Sequence, residues 1–246
     1  MNHFFITPNQ IKDKKIAITG SDVRHIKNVL RMKAGEEASF SDGVNPFTHH
    51  AVLAEISDEI IYFDLIYTQE ANQELSARIY LFQSLPKADK MELVIQKAVE
   101  LGVHEIIPVA TARSIVKLDA KKAQAKRQRW QSISEAAAKQ CHRQSIPLIN
   151  GIMNFTDALK WAEKMELRMI PYEMADNMEK TKKSIQSIKS GQTVAIFIGP
   201  EGGFSADEIK LAIKAGITPI TMGRRILRTE TAAFVILSWI MYQLEE

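Results

Sequence analysis

One stretch limits the folds open to this chain more than any other. Residues 194–231, VAIFIGPEGGFSADEIKLAIKAGITPITMGRRILRTET, break into two successive strand–loop–helix units. Val194 to Ile198 is an unbroken apolar run rich in β-formers, the pattern of a strand covered on both faces, and such strands belong to parallel sheets. The run stops at Gly199-Pro200-Glu201-Gly202-Gly203. Ser205 lies three residues before Glu208, the capping-box spacing. A helix therefore opens there, with Ile209, Ala212 and Ile213 on one side, and closes at Gly216. The second unit predicts a short strand from Ile217 to Met222, a loop from Gly223 to Arg228, and a closing helix from Glu230 to Leu244 capped by Thr229. Glu230 in its first turn suits the helix dipole.

Two glycine-bearing loops at the carboxyl ends of neighbouring strands make a ligand crevice in an open α/β sheet. Three glycines within five residues let a ligand approach the backbone closely. The loop is not a phosphate loop, because no lysine follows its glycines, and the G-x-G-x-x-G pattern is absent too. Glu201 would repel a pyrophosphate, which points to a neutral or cationic ligand. The competing reading is a tight strand-to-helix turn that binds nothing, since short motifs recur by chance.

Upstream, residues 1 to about 68 read as short strands: His3–Ile6, Lys15–Ile18, Ala38–Phe40, His50–Ile56 and Ile60–Ile66, with turns at Gly35 and Asp42-Gly43. A helical patch from Ser21 to Met32 interrupts them, with Val23, Ile26, Val29 and Leu30 at helical spacing and Arg24, His25, Lys27 and Arg31 opposite. A small N-terminal β-barrel with one helix is the expectation. The polar stretch 68–77 places a boundary near residue 72, giving domains 1–72 and 73–246. Beyond it, strands at Arg78–Gln83, Glu105–Val109, Leu148–Ile149 and Leu167–Ile170 alternate with helices at Lys87–Leu101, Asp119–Cys141 and about Thr156–Met165. The polar, lysine-rich stretch that follows Glu173 and runs to Gly191 is assigned no element. Alternation of this kind predicts an α/β fold with a mostly parallel sheet.

Between Arg113 and Arg143 there are nine Lys/Arg against two Asp/Glu, in a chain whose net charge is only +3. Such a basic belt is the footprint of a phosphate backbone, and an ordinary solvated face is the blander reading. The single cysteine, Cys141, excludes an internal disulfide and a cysteine zinc cluster. No metal-site spacing and no nucleophile elbow occurs. MNHFFITPNQ carries no secretory pattern, and Ala232 to Leu244 is too short to span a bilayer, so a cytoplasmic protein without membrane contact is expected.

At Phe197 to Ile209, FIGPEGGFSADEI, and Met222 to Ala232, MGRRILRTETA, the chain resembles the RsmE family of SPOUT methyltransferases. Lys87 to Gly102, Thr111 to Ser114, Glu135 to Arg143 and His25 to Met32 extend the resemblance over essentially the whole length. Met222 stands where the family is expected to have leucine, and Ala138-Lys139 where an acid is common. The resemblance implies a SPOUT-type knotted sheet behind a PUA-like RNA-binding barrel, homodimerisation through the knot, and methylation of N3 of a uridine in 16S ribosomal RNA of the small subunit. The implied cofactor is S-adenosylmethionine, and no metal is implied. Carried onto this sequence, the cofactor residues are Tyr172, Glu173, Ile198, Gly199, Pro200, Glu201, Gly203, Met222, Gly223, Ile226, Leu227, Arg228 and Thr231. Arg228 is the candidate for stabilising the uracil anion and Glu230 the candidate base, or the two form only a structural pair. Arg24, Arg31, Arg113, Lys117 and Arg143 are the candidate RNA phosphate contacts. Rival functions are a SPOUT enzyme acting on transfer RNA or a ribose 2′-hydroxyl, and a non-catalytic assembly factor.

Overall fold

A computed structural model describes residues 1–245 except 44, 72, 115–118 and 176. It divides into two compact units, Met1–Glu74 with Ala138–Ile146, and Leu75–Ala137 with Pro147–Glu246. The first unit carries β1 (Asn2–Phe5), β2 (Ile11–Lys12), β3 (Lys15–Thr19), α1 (Ser21–Arg24), β4 (Glu37–Ser41), β5 (Phe47–Ile56) and β6 (Ile60–Glu70). They form one sheet in the order β1-β4-β5-β6-β3-β2, antiparallel except for β1 against β4. Alternating residues build its core, among them Phe4, Ile16, Ile18, Phe40, Leu53 and Phe63.

The helical patch is α1 followed by a π-helical turn, His25–Leu30. The wider turn displaces the apolar stripe by one residue. Val23 and Ile26 are buried and Leu30 packs against the core, while Val29 is 67% exposed. An ordinary helix would have brought Val29 inward. Strand β2 was not visible in the sequence, because a two-residue bridge has no periodicity to read.

The second unit holds β7 (Arg78–Ser84), α2 (Lys90–Glu100), β8 (Glu105–Ala110), α3 (Ala120–Gln140) up to Ala137, β9 (Leu148–Ile149), β10 (Met153–Asn154), α4 (Phe155–Ala162), β11 (Leu167–Pro171), α5 (Met178–Gln186), β12 (Thr193–Ile198), α6 (Ala206–Lys214), β13 (Thr218–Ile220) and α7 (Thr229–Leu244). Its strands run β10-β8-β7-β12-β11-β13, with β9 also on β8, and every described pairing is parallel. Strand β12 is central, and Val194 to Ile198 are all buried, as an unbroken apolar run requires. Phe82 of β7 stacks on Phe197 of β12, with ring centroids 4.3 Å apart. Burying each such side chain contributes about 1.5–3 kcal/mol. Helix α6 begins with the capping box of Ser205 and Glu208 and ends before Gly216, whose φ is +77°. Ile209 and Ala212 face inward, but Ile213 is exposed and the buried Glu208 takes part of the inner face. Helix α5 occupies the lysine-rich stretch to which the sequence pattern assigns no element. Its buried side chains are only Thr181 and Ile185, too few and too polar to announce a stripe.

Candidate functional site

The carboxyl ends of β11, β12 and β13, neighbours in the sheet, open on one cleft of about 360 Å³. That is the size of a small-molecule site, placed where open α/β sheets bind ligands. Three segments line it: 171–173 after β11, 198–204 after β12, and 221–227 after β13, with Thr229 and Ala232 of α7. All the expected cofactor residues meet there except Arg228 and Thr231, which lie outside the lining. Gly202, within the glycine loop, lines it too, and Phe204 and Thr221 join without having been expected.

The loop after β12 is held from several sides. The Gly203 amide donates to the Pro200 carbonyl at 2.8 Å, closing a turn in which Gly203 has φ +66°. The Arg113 guanidinium donates to the Gly202 carbonyl at 2.6 Å. The turn bearing Arg113 is fixed by Glu208, whose second carboxylate oxygen accepts the Ala112 amide at 2.8 Å. The Thr229 hydroxyl donates to the Gly199 carbonyl at 2.6 Å and accepts from the Gln83 side-chain amide at 2.9 Å. Thr229 therefore does not cap α7. The N-cap position belongs to Arg228, and Thr229 is the first helical residue. A hydroxyl can serve either purpose with the same local spacing, and only tertiary structure separates them.

Glu201 accepts the Lys87 amide at 3.1 Å and pairs with the Lys90 ammonium at 3.1 Å. Partial burial works to raise its carboxyl, but its own amide, the Lys87 amide and Lys90 outweigh this and hold it below the usual carboxylate range. Glu230 is 14% exposed and lies 3.4 Å from the same lysine. Lys90 was not singled out from the sequence. It is 111 residues from Glu201, so no motif spacing could have linked them.

Among the described residues, the hydrogen bonds that hold the loop after β13 to another element are at its start. Thr181 of α5 donates its hydroxyl to the Thr221 carbonyl at 3.0 Å and accepts the Thr221 amide at 3.1 Å. Beyond Gly223, at φ +100°, Arg224, Arg225 and Arg228 are exposed and Ile226 is 88% exposed. The Ile226 side chain thus lines the mouth of the cleft instead of closing over it.

The expected phosphate contacts are scattered. Arg24 and Arg31 are exposed, Arg31 at φ +51° just after the π-helical turn, and Arg113 is exposed but bound to the glycine loop. Arg143 requires a correction, because it is 3% exposed and ion-paired with Glu74. A buried guanidinium is retained by its carboxylate partner and is not open to a phosphate. Lys117 lies outside the described residues. Elsewhere in the belt, Arg127 donates to the Ile149 carbonyl, Arg129 pairs with Glu92, and Lys139 pairs with Asp22. Much of that positive charge therefore has partners inside the protein. Among the described residues no cluster of His, Cys, Asp or Glu could hold a metal, and no helix is long and apolar enough to cross a membrane.

An RNA methyltransferase domain family matches residues 73–241, and an RNA methyltransferase PUA domain family matches residues 18–66. Ribosomal RNA small subunit methyltransferase E of Bacillus subtilis is 37% identical, the alignment covering 100% of this chain and 98% of that protein. The protein of the same name from Mesomycoplasma hyopneumoniae is 32% identical over 97% of this chain and 98% of its own length. Among solved structures, a Legionella pneumophila methyltransferase in complex with the cofactor SAM superposes with a TM-score of 0.86 at 30% identity, covering 98% of this chain and 96% of that one. Neisseria gonorrhoeae ribosomal RNA small subunit methyltransferase E bound to S-adenosyl methionine gives 0.85 at 29% identity, over 98% of this chain and 97% of that one.

Proposed function

Because the chain belongs to the RNA methyltransferase family of the ribosomal RNA small subunit methyltransferase E proteins, we propose that it methylates N3 of a uridine in 16S ribosomal RNA, using S-adenosylmethionine. The observation that carries this reading is the glycine-walled, acid-bearing cleft at the ends of three adjacent parallel strands. Its residues fit the cofactor. A Cβ on Gly199 would sit 3.2 Å from the Phe204 ring, a tight contact, so glycine keeps that wall backbone, and backbone amides suit an adenine edge. Met222, Leu227 and Ala232 provide apolar surface for the adenine faces, and Glu173 and Glu201 suit a cationic sulfonium as they would not suit a phosphate. When bound, the sulfonium supplies an activated methyl group.

Tyr172, Glu173, Ile198 to Glu201, Gly203, Met222, Gly223, Ile226 and Leu227 hold the cofactor in this reading, with Arg228 and Thr231 at its margin. Arg228 sits in the chain between two cleft residues, Leu227 and Thr229, and faces solvent, where its guanidinium stabilises the negative charge that uracil acquires when N3 loses its proton. Glu230 takes or orients that proton, at a carboxylate steadied by Lys90. The target base must leave its stack, so the RNA is engaged as a splayed single strand. Arg24, Arg31 and Arg113 make the phosphate contacts, and Arg143 is withdrawn from that role.

The same proposal includes domains over 1–72 and 73–246, closure of the first sheet into a PUA-like barrel, a C-terminal trefoil knot, a homodimer and action in the cytoplasm. Supporting the knot, the chain leaves β13, runs through 221–228, and returns in α7 to pack on α2 and α5. Supporting the dimer, Phe234, Val235, Trp239 and Met241 of α7 are only half-buried and Tyr242 is exposed. The test is methyl transfer from labelled S-adenosylmethionine to unmodified small ribosomal subunits, read by nucleoside mass spectrometry. Label in 3-methyluridine is the expected result. Label in another nucleoside would overturn the N3 assignment, and tight RNA binding without label would favour an assembly factor.

A further inference from the structure

Lys90 opens α2, and its ammonium lies 3.1 Å from Glu201 of the first glycine loop and 3.4 Å from Glu230 of α7. One nitrogen thus joins three elements that are far apart in the chain. The Glu230 oxygen it meets is buried and accepts no hydrogen bond from a described residue, so the contact is an ion pair. Glu201 is fixed a second time by the Lys87 amide, from the turn leading into α2. The hydrogen bond that the ammonium donates to Glu201, together with both carboxylate charges, holds it above the ordinary lysine range. Glu201 lines the cleft but Lys90 does not, so the lysine reaches a ligand only through its partners.

We propose that Lys90 is a positioning residue for the methyl donor, clamping Glu201 and Glu230 so that the first loop and the start of α7 present a fixed cleft wall. The inference rests on the proposed binding of S-adenosylmethionine in this cleft. Two carboxylates share one ammonium, so a single negative charge is left over, complementary to a single sulfonium. Without the lysine, two like charges within reach of one point repel, and the loop and the helix lose their common anchor. A lysine that only supported the fold would change melting temperature and ligand affinity together.

The experiment measures S-adenosylmethionine affinity by calorimetry in Lys90→Met, Lys90→Arg, Glu201→Gln/Glu230→Gln and the triple variant, each with its melting curve. Lys90→Met weakens binding about tenfold, within the range of coupled pairs. Lys90→Arg, which keeps the charge, binds within about threefold of the original protein. In the Glu201→Gln/Glu230→Gln background, Lys90→Met adds less than about twofold, because its partners are already gone. The triple variant carries no unpaired carboxylate, so it keeps the test available where Lys90→Met alone does not fold. Unchanged affinity in Lys90→Met, or an equal loss in both backgrounds, would overturn the proposal. Affinity reads the clamp and methyl transfer to small subunits reads the function, so the two fail separately.

Discussion

The loops after β12 and β13 each carry a glycine in the left-handed region, Gly203 at φ +66° and Gly223 at φ +100°, yet they are built differently. The first is tied by Thr229, Arg113, Lys87 and Lys90, which come from three separate parts of the chain. The second is fastened at Thr221 and then projects three exposed arginines and an exposed isoleucine. A loop already in its binding shape loses little entropy when a ligand arrives, whereas an unfastened loop must be ordered by it. In the function proposed above, the braced wall receives the small donor and the exposed arginines meet the RNA.

Substitutions should separate the two roles. Arg228→Ala, on the free side, should lower the rate of methyl transfer at least about 100-fold while leaving donor affinity within about threefold. Single-turnover kinetics with calorimetry checks this, and lost donor binding would assign Arg228 to the cleft wall instead. Thr229→Val removes the bond to the Gly199 carbonyl and one of the two that the buried Gln83 amide donates, so it should destabilise the protein by about 1–3 kcal/mol in denaturant unfolding. Gly203→Ala forces a side chain into the left-handed region, costing about 1–2 kcal/mol and weakening donor binding in the same assay. The smallest effect on the fold is expected from Arg224→Ala/Arg225→Ala, within about 0.5 kcal/mol of the original stability. RNA affinity should nevertheless fall, and the slope of its logarithm against that of salt concentration should lessen by about one or two. A large loss of stability in that last variant would erase the contrast between the loops.

Where local pattern determines structure, the sequence was readable. The buried run Val194 to Ile198, the Ser205–Glu208 capping box and Gly216 stand where their chemistry requires, because each constraint acts within a few residues. Val29 was misplaced because a π-helical turn changes the period without changing composition. Helix α5 was missed because Thr181, its most deeply buried side chain, does not read as apolar and bonds back to Thr221. In the site, the two glycine loops were legible, but their braces were not. Thr229 with Gln83, Glu208 with Ala112, and Lys90 with Glu201 and Glu230 are tertiary pairs across long stretches of chain. Arg143 shows the opposite error: a basic belt counts charges, and only the fold reveals which are already paired.

The most direct test of the central claim, that these paired loops receive S-adenosylmethionine, is amide hydrogen exchange with and without that compound. The account predicts that the Gly203 amide, already bonded to the Pro200 carbonyl, changes little, while residues 222–228 gain strong protection on binding. Unchanged exchange at 222–228 under saturating S-adenosylmethionine, or protection appearing at another part of the molecule, would contradict it.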